Sequence, residues 1–226
     1  MNYKIIKNEK LLRDFIAWLP DLEINEKFYV CLFARKKYCE DIKYIKTDKA
    51  QCKRFLSNKK DLYNKILQLE TPLGSYVIKD IVIPQQALSV YLSINPRDME
   101  AGTRNGLIKF ANLLALKYNG YNPVAEVMSE VHKACSRKLW FDFDFDGADL
   151  DFTINEINKI LTPDNYRILK TRGGFHVIVN LKSLDKKISH TWYHGISSLS
   201  GCDILGDSLL PIPGCVQGDF IPYFIK

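Results

Sequence analysis

The chain has 226 residues, of which 46% are apolar and 12% aromatic, and its formal net charge is +6. These values exclude a disordered chain and predict a globular protein with a sizeable core, in one domain or in one domain with an appendage. The six cysteines form no CxxC pair and no zinc-finger spacing, so a structural zinc is not supported. The lack of a signal peptide or transmembrane run predicts a reducing, intracellular compartment and no membrane partner.

The positive charge is concentrated in the N-terminal part. Residues 1–80 contain 17 Lys and Arg against 11 Asp and Glu, whereas residues 81–226 contain 15 of each. Within the first part, residues 35–65 hold eleven basic and four acidic residues, interleaved with Tyr38, Tyr44, Phe55 and Tyr63. Such a stretch could follow a phosphate backbone while its aromatic rings stack on bases. It could equally be a solvated helical surface whose aromatic residues pack inward.

Apolar periodicity predicts the elements of the N-terminal half. We expect a helix over residues 8–18, a strand over 27–34, two short helices near 48–57 and 59–69, and strands at 76–78 and 88–94. The lysine-rich composition ends near residues 80–85. This change predicts a basic, mostly helical part over residues 1–85, packed on a core over residues 86–226.

Arg97 stands at the end of the last of these strands, where Asn95-Pro96-Arg97-Asp98 breaks the strand and begins a helix over about 99–117. A guanidinium in this position can bind a phosphate or a carboxylate, and the alternative is an ion pair with Asp98 or Glu100. A further helix is expected over residues 124–135.

The stretch from Trp140 to Asp146 alternates large apolar and acidic residues, which is the period of a β-strand. Its apolar residues should face a core and its acids the opposite side of the sheet, namely Phe141, Phe143 and Phe145 against Asp142, Asp144 and Asp146. Carboxylates two residues apart lie roughly 6–7 Å from each other and repel unless a cation is bound between them. Oxygen ligands of this kind suit Mg²⁺ or Mn²⁺. The alternative is an exposed edge strand whose acids deter aggregation.

After a predicted helix over residues 150–161, two apolar runs over 166–180 are joined through Thr171-Arg172-Gly173-Gly174, which predicts a strand, a tight turn and a strand that carries His176. A basic helix is expected over 186–199. The order strand, helix, strand, strand predicts an α+β fold with a mixed or antiparallel, RNA-recognition-like sheet and helices on one side.

The turn and the acidic strand together outline a nucleotidyl-transfer site. Glycines allow backbone N–H groups to approach a triphosphate, and Thr171, Arg172 and His176 offer a hydroxyl, a guanidinium and an imidazole to its oxygens. An aspartate cluster with two divalent ions can hold the attacking and leaving oxygens of the transfer. Taken alone, a histidine in an apolar strand is more often a core residue with its hydrogen bonds satisfied.

These motifs resemble the archaeo-eukaryotic primase, or primase-polymerase, superfamily over about residues 88–218. Trp140-Phe141-Asp142-Phe143-Asp144 matches its acidic strand motif, and the segment from Thr171 to His176 matches its Gly-rich motif with Thr in place of Ser. Cys202-Asp203, followed by Pro211-Ile212-Pro213-Gly214, resembles its third motif, although Pro211 replaces the usual arginine.

The resemblance implies a DNA primase or polymerase that transfers nucleotides from nucleoside triphosphates on a single-stranded DNA template. In that case Asp142, Asp144 and Asp203 would hold Mg²⁺ or Mn²⁺, while His176 and Arg172, with Thr171 and Gly173, would bind the phosphates. Lys170, Arg97 or Lys138 could replace the missing arginine. Asp207 competes with Asp203 as the third acid, and Asp146 is either an accessory acid or plain surface.

Three points stay open at this stage. The implied setting is the cytoplasm of a prokaryote or of a virus- or phage-infected cell, with the nucleus not excluded. A replicative helicase or another replication protein is an expected partner. The rival functions are a catalytically idle subunit that binds nucleic acid or a replication partner, and a metal-dependent nuclease.

Overall fold

Alternating apolar residues build two five-stranded antiparallel sheets, beside a two-stranded one over residues 77–82, in a computed structural model that describes residues 1–42, 46–185 and 191–225. The helices are α1 (Glu9–Trp18), α2 (Leu62–Leu67), α3 (Met99–Leu114), α4 (Pro123–Lys133), α5 (Leu150–Asn158) and α6 (Trp192–Ser197). The strands are β1 (Glu26–Arg35), β2 (Lys49–Ser57), β3 (Val77–Ile78), β4 (Ile81–Val82), β5 (Leu88–Ser93), β6 (Arg97–Asp98), β7 (Trp140–Asp146), β8 (Tyr166–Lys170), β9 (Gly174–Asn180), β10 (Cys202–Gly206), β11 (Leu209–Pro211) and β12 (Tyr223–Phe224).

Most predicted elements are present with shifted ends. The helices predicted over 8–18, 59–69, 99–117, 124–135 and 150–161 are α1, α2, α3, α4 and α5, and the predicted strands are β1, β3, β5, β7, β8 and β9. Tyr44 of the basic stretch and residues 186–190 of the predicted 186–199 helix lie outside the described residues. The remainder of that helix is α6.

The first sheet has the order β11-β5-β1-β2, and β6 extends it by pairing with β1. One of its faces carries Val30 and Leu32, which pack against Leu12 of α1 and Ile66 of α2 in a buried apolar cluster. The opposite face of this sheet is turned towards the second sheet. On that face Tyr29 also packs against His132 of α4, with the ring centres 4.8 Å apart, so helices contact both faces of the first sheet.

Residues 49–57 form β2, so the helix predicted near 48–57 is wrong. The strand pairs with β1 from Phe28↔Ser57 to Arg35↔Lys49. Its charged residues obscure the period of two, and cross-strand pairing with the ten-residue β1 outweighs local propensity. The N-terminal part is consequently not mostly helical. Since β1 and β2 share a sheet with β5 and β11, a division at residue 85 does not separate two structural units.

The second sheet has the order β10-β7-β9-β8-β12, with antiparallel pairing throughout. Ile157 of α5 and Ile196 of α6 pack on the face that carries Phe143, Phe145 and Val177. The fold is therefore α+β, with an antiparallel sheet that carries the acidic strand and has helices on one face. None of the described helices is long and apolar enough to cross a membrane.

Asn95 joins the two sheets. Its Oδ1 accepts hydrogen bonds from the backbone N–H groups of Leu139 and Trp140, both at 2.9 Å, and its amide donates to the Trp140 carbonyl and to Asp207, both at 3.0 Å. Beside it lies a small apolar cluster formed by Ile94, Leu169, Ile178 and Leu210. These contacts hold the two sheets together along one side and leave a polar cleft between them.

Candidate active site

The acidic side of the cleft is the face of β7 that its phenylalanines leave free. Phe143 and Phe145 are fully buried beneath α5 and α6, so Asp142, Asp144 and Asp146 project from the other face, as predicted. Asp203 of β10 lies directly opposite Asp144 in the antiparallel register. Directly opposed residues share a face, so the two carboxylates are neighbours on the cleft side of the sheet.

His176 lies on the same face as the acids, opposite Asp144 across the β7–β9 pair. Its Nδ1 is 2.9 Å from Oδ1 and 3.0 Å from Oδ2 of Asp142, and its Nε2 is 3.5 Å from Oδ1 of Asp144. Burial alone would lower the pKa of His176, but the carboxylates of Asp142, Asp144 and Asp146, with Asp142 the strongest of them, together outweigh burial and raise it. The imidazole therefore holds a proton more firmly than a free histidine does.

Asp142 is fully buried, and its oxygens are already engaged. Besides the contacts with His176, Oδ2 accepts a hydrogen bond of 2.5 Å from the hydroxyl of Ser208. Sequence reasoning missed Ser208, because only the turn between β10 and β11 brings it to β7. These contacts suit a residue that orients the His176 ring.

Asp144 is in the opposite situation. Its Oδ1 is buried and has no hydrogen-bond partner, since the 3.5 Å approach of His176 does not meet hydrogen-bond geometry. Burial raises the pKa of the Asp144 carboxyl and the charge of Asp146 acts in the same direction, while His176 and Lys37 oppose them. A buried carboxylate oxygen without a partner is costly unless a ligand supplies the missing contact.

The first sheet forms the other side of the cleft. Asp144, Asp146 and His176 face Arg35, Lys37 and Lys49, which come from the end of β1, the turn after it and the start of β2. We call these three basic residues the cationic side of the cleft. The sequence indicated a basic stretch over residues 35–65 but not which of its residues meet the acids, because that selection depends on how the sheets face each other.

Thr171 and Gly173 of the predicted Gly-rich turn line the cleft, whereas the Arg172 side chain does not. Its Nε is 3.0 Å from Asp219, and its guanidinium lies 4.4 Å from the ring centre of Tyr38.

Gly174 is required by packing, because a Cβ there would lie 1.8 Å from the Phe145 carbonyl oxygen. The close pairing of β9 with β7 therefore explains this glycine.

Arg97 and Asp207 form an ion pair that removes both from the cleft. The Arg97 side chain is 1% exposed, and its two terminal nitrogens donate to Asp207 at 2.6 and 2.8 Å. The alternative of a structural ion pair is thus favoured over phosphate binding, with Asp207 as the partner in place of Asp98 or Glu100. Of the two competing third acids, Asp203 is the one that lies beside Asp144.

Lys170 does not lie on the face expected of a phosphate ligand. It pairs with Phe175, which is buried in the cluster beneath α5 and α6, so the register places Lys170 on the helix-covered face. Lys138 is exposed and does not line the cleft.

The residues present suit a divalent cation with oxygen ligands. Asp144 and Asp203 are opposed, and one oxygen of Asp144 lacks a partner, as in a site that a cation would complete. In the described part of the chain, no three His, Cys, Asp or Glu side chains are gathered as a ready-made metal centre. The oxygens of Asp142 are already bonded to His176 and Ser208.

No family model matches the chain, and no curated protein and no solved structure matches it.

Proposed function

We propose that the protein is a DNA primase or primase-polymerase that transfers nucleotides from nucleoside triphosphates onto strands paired with single-stranded DNA. The observation that carries this proposal is the pair Asp144 and Asp203, with one carboxylate oxygen unpartnered, beside a histidine and opposite a cationic surface. A site of this composition fits a reactant that is both polyanionic and bound to metal.

In this proposal Asp144 and Asp203 bind Mg²⁺ or Mn²⁺, which when bound neutralises charge on the phosphates and lowers the pKa of the attacking hydroxyl. The 3′-oxygen forms a bond to the α-phosphorus, the bond to the β-phosphate oxygen breaks, and the hydroxyl proton passes to water. Pyrophosphate is the leaving group.

His176 is the proton-bearing group of this site. Because Asp142 accepts from Nδ1, the Nε2–H of a protonated His176 is directed towards the cleft beside Asp144. There it can donate to a phosphate oxygen and stabilise charge that develops on the leaving group. Asp142 and Ser208 keep the ring in this orientation.

Exposed lysines of the basic stretch support binding of the template. Lys46 and Lys53 are exposed and belong to the basic stretch over residues 35–65. Phosphate contacts of this kind release counterions, so the affinity for single-stranded DNA should fall steeply as salt is added.

The test is incorporation of labelled nucleotides on primed and unprimed single-stranded DNA with Mn²⁺ or Mg²⁺. Asp144→Asn and Asp203→Asn should each reduce incorporation by at least about 100-fold, because several kcal/mol of transition-state stabilisation are lost. Asp151→Asn, an exposed residue of α5, is the matched control and should retain activity.

Two outcomes would overturn the proposal. Binding of single-stranded DNA by the unchanged protein without any incorporation would indicate an idle binding subunit. Cleavage of DNA in the absence of nucleotides would indicate a nuclease. Circular dichroism and thermal unfolding of each variant would show that a loss of activity is not a loss of fold.

A further inference from the structure

Two lysines on the cationic side of the cleft have no function in metal binding or in orienting His176. Lys37 and Lys49 are exposed, and neither forms an ion pair with a carboxylate of the described residues. Lys37 is nonetheless near enough to Asp144 to lower its carboxyl pKa against the effect of burial. Neither ammonium group is therefore engaged in an ion pair at the cleft among the described residues.

Asp48 fixes the backbone that displays these lysines. It accepts from Nε of the buried Arg35 at 2.9 Å, forms an ion pair with the same guanidinium at 2.8 Å, and accepts the backbone N–H of Lys37 at 2.9 Å. Arg35 also bonds the hydroxyl of Tyr91. Because the charge of Asp48 is used by Arg35, Arg35 is neutralised and rigid, whereas the lysines remain available.

Two aromatic rings support the lysine side chains. The Lys37 ammonium lies 5.8 Å from the ring centre of Tyr38, and the Lys49 ammonium lies 5.8 Å from that of Tyr91. Cation–π attraction at this distance favours the observed side-chain positions and leaves the N–H donors free for a ligand. The result is a pre-arranged pair of cations on one sheet, opposite the acids of the other.

A ligand that satisfies both sides must carry several negative charges and bind a cation as well. An oligophosphate does both, since its oxygens can bind a divalent ion at Asp144 and ammonium groups elsewhere along the chain. Phosphates in series are found in a nucleoside triphosphate and in the backbone of DNA. The closeness of the lysines to Asp144, where the α-phosphate would react, favours the triphosphate.

We propose that Lys37 and Lys49 bind the β- and γ-phosphates of the incoming nucleoside triphosphate, so that the nucleotide bridges the two sheets. This inference rests on the proposed function. It assigns Lys37 and Lys49, two residues of the basic stretch, to nucleotide binding instead of template binding.

The test compares Lys37→Ala, Lys49→Ala and the double variant with Lys36→Ala, which removes the same charge from a residue that does not line the cleft. Each cleft variant should raise the KM for dATP about tenfold, the loss expected for one charge-assisted hydrogen bond, with a smaller change in kcat. The inhibition constant of inorganic tripolyphosphate should rise in parallel. The Kd for single-stranded DNA, measured by anisotropy without nucleotide, should change less than about twofold.

Unchanged KM and tripolyphosphate inhibition in the double variant would overturn the inference. So would a weaker Kd for DNA with an unchanged KM, which would assign the lysines to backbone phosphates. If the unchanged protein incorporates no nucleotide, the proposed function fails. Calorimetric titration with tripolyphosphate would then still decide whether Lys37 and Lys49 bind an oligophosphate.

Discussion

Nδ1 of His176 lies 2.9–3.0 Å from both oxygens of Asp142, so a carboxylate on β7 holds the imidazole on the neighbouring strand β9. The resemblance to the primase superfamily implies that Asp142 and Asp144 both hold the metal. Their surroundings differ, because Asp142 is saturated by His176 and Ser208 while Asp144 retains an unpartnered oxygen. The two aspartates should therefore respond differently to substitution.

Asp142→Asn should lower kcat about 10- to 100-fold while leaving the Mn²⁺ concentration for half-maximal activity nearly unchanged, because it disturbs the orientation of His176. Asp144→Asn should abolish activity or raise that concentration strongly. Combining Asp142→Asn with His176→Asn should cost little more than either change alone, since both act on one unit. A large rise in the Mn²⁺ requirement of Asp142→Asn would instead identify Asp142 as a metal ligand.

Gly174→Ala should destabilise the fold by several kcal/mol, because the added Cβ would meet the Phe145 carbonyl at 1.8 Å and separate β9 from β7. Gly173→Ala is the matched comparison. Its Cβ would meet only the side chain of the exposed Asp146 at 2.9 Å, so the free energy of unfolding should change by about 1 kcal/mol or less. Urea unfolding measures both, and equal losses would contradict the packing explanation for Gly174.

The sequence was sufficient for the acidic strand and the face that its aspartates occupy. The two-residue period of apolar and acidic residues identified both the strand and that face. Because one helix and one strand separate β7 from β9 along the chain, the position of His176 on a strand of the same sheet was predictable. The alternation failed at β2, where lysines occupy positions on both faces and only the pairing with β1 identifies a strand.

The cationic side of the cleft and the partner of Arg97 could not be predicted. Lys37 and Lys49 approach Asp144 only through the packing of two sheets, and no local pattern encodes that packing. Arg97 and Asp207 are 110 positions apart. A pair of this kind gives no periodic signal, so the sequence could not decide whether the Arg97 guanidinium binds a phosphate or a carboxylate.

Arg97→Met should lower the free energy of unfolding by about 3 kcal/mol, since it leaves Asp207 partly buried without its cation. Among variants that remain folded, the KM for nucleotide should be unchanged. Chemical denaturation and steady-state kinetics provide the two measurements. A raised KM without a loss of stability would restore Arg97 as a phosphate ligand.

Glu26 should make the fold sensitive to acid. Burial opposes its ionisation, but hydrogen bonds from Arg137 at 2.8 and 2.6 Å and from the Glu23 backbone outweigh burial and lower the pKa from 4.5 to about 2. A pKa lower in the folded state than in the unfolded state stabilises the fold above pH 4.5, and this contribution is lost as the pH falls towards about 2.

Glu26→Gln should therefore cost about 2–3 kcal/mol near neutral pH, and its difference from the unchanged protein should shrink steadily below about pH 4. Denaturant unfolding at several pH values measures this convergence. Glu23→Gln, a carboxylate more than half exposed, serves as the control and should change little at any pH. If the free energies of unfolding of Glu26→Gln and of the unchanged protein run parallel across this pH range, Glu26 is not the source of the acid sensitivity.

The basic groups of the cleft come from residues 35–49, and its acids and histidine come from residues 144–176. A fragment that starts at residue 86 would lack every basic group opposite Asp144, and its β5 would retain only the three-residue β11 as a neighbour. The smallest portion worth expressing for biochemistry consequently spans almost all of these 226 residues, although the acidic motifs all lie in the last two-fifths of them.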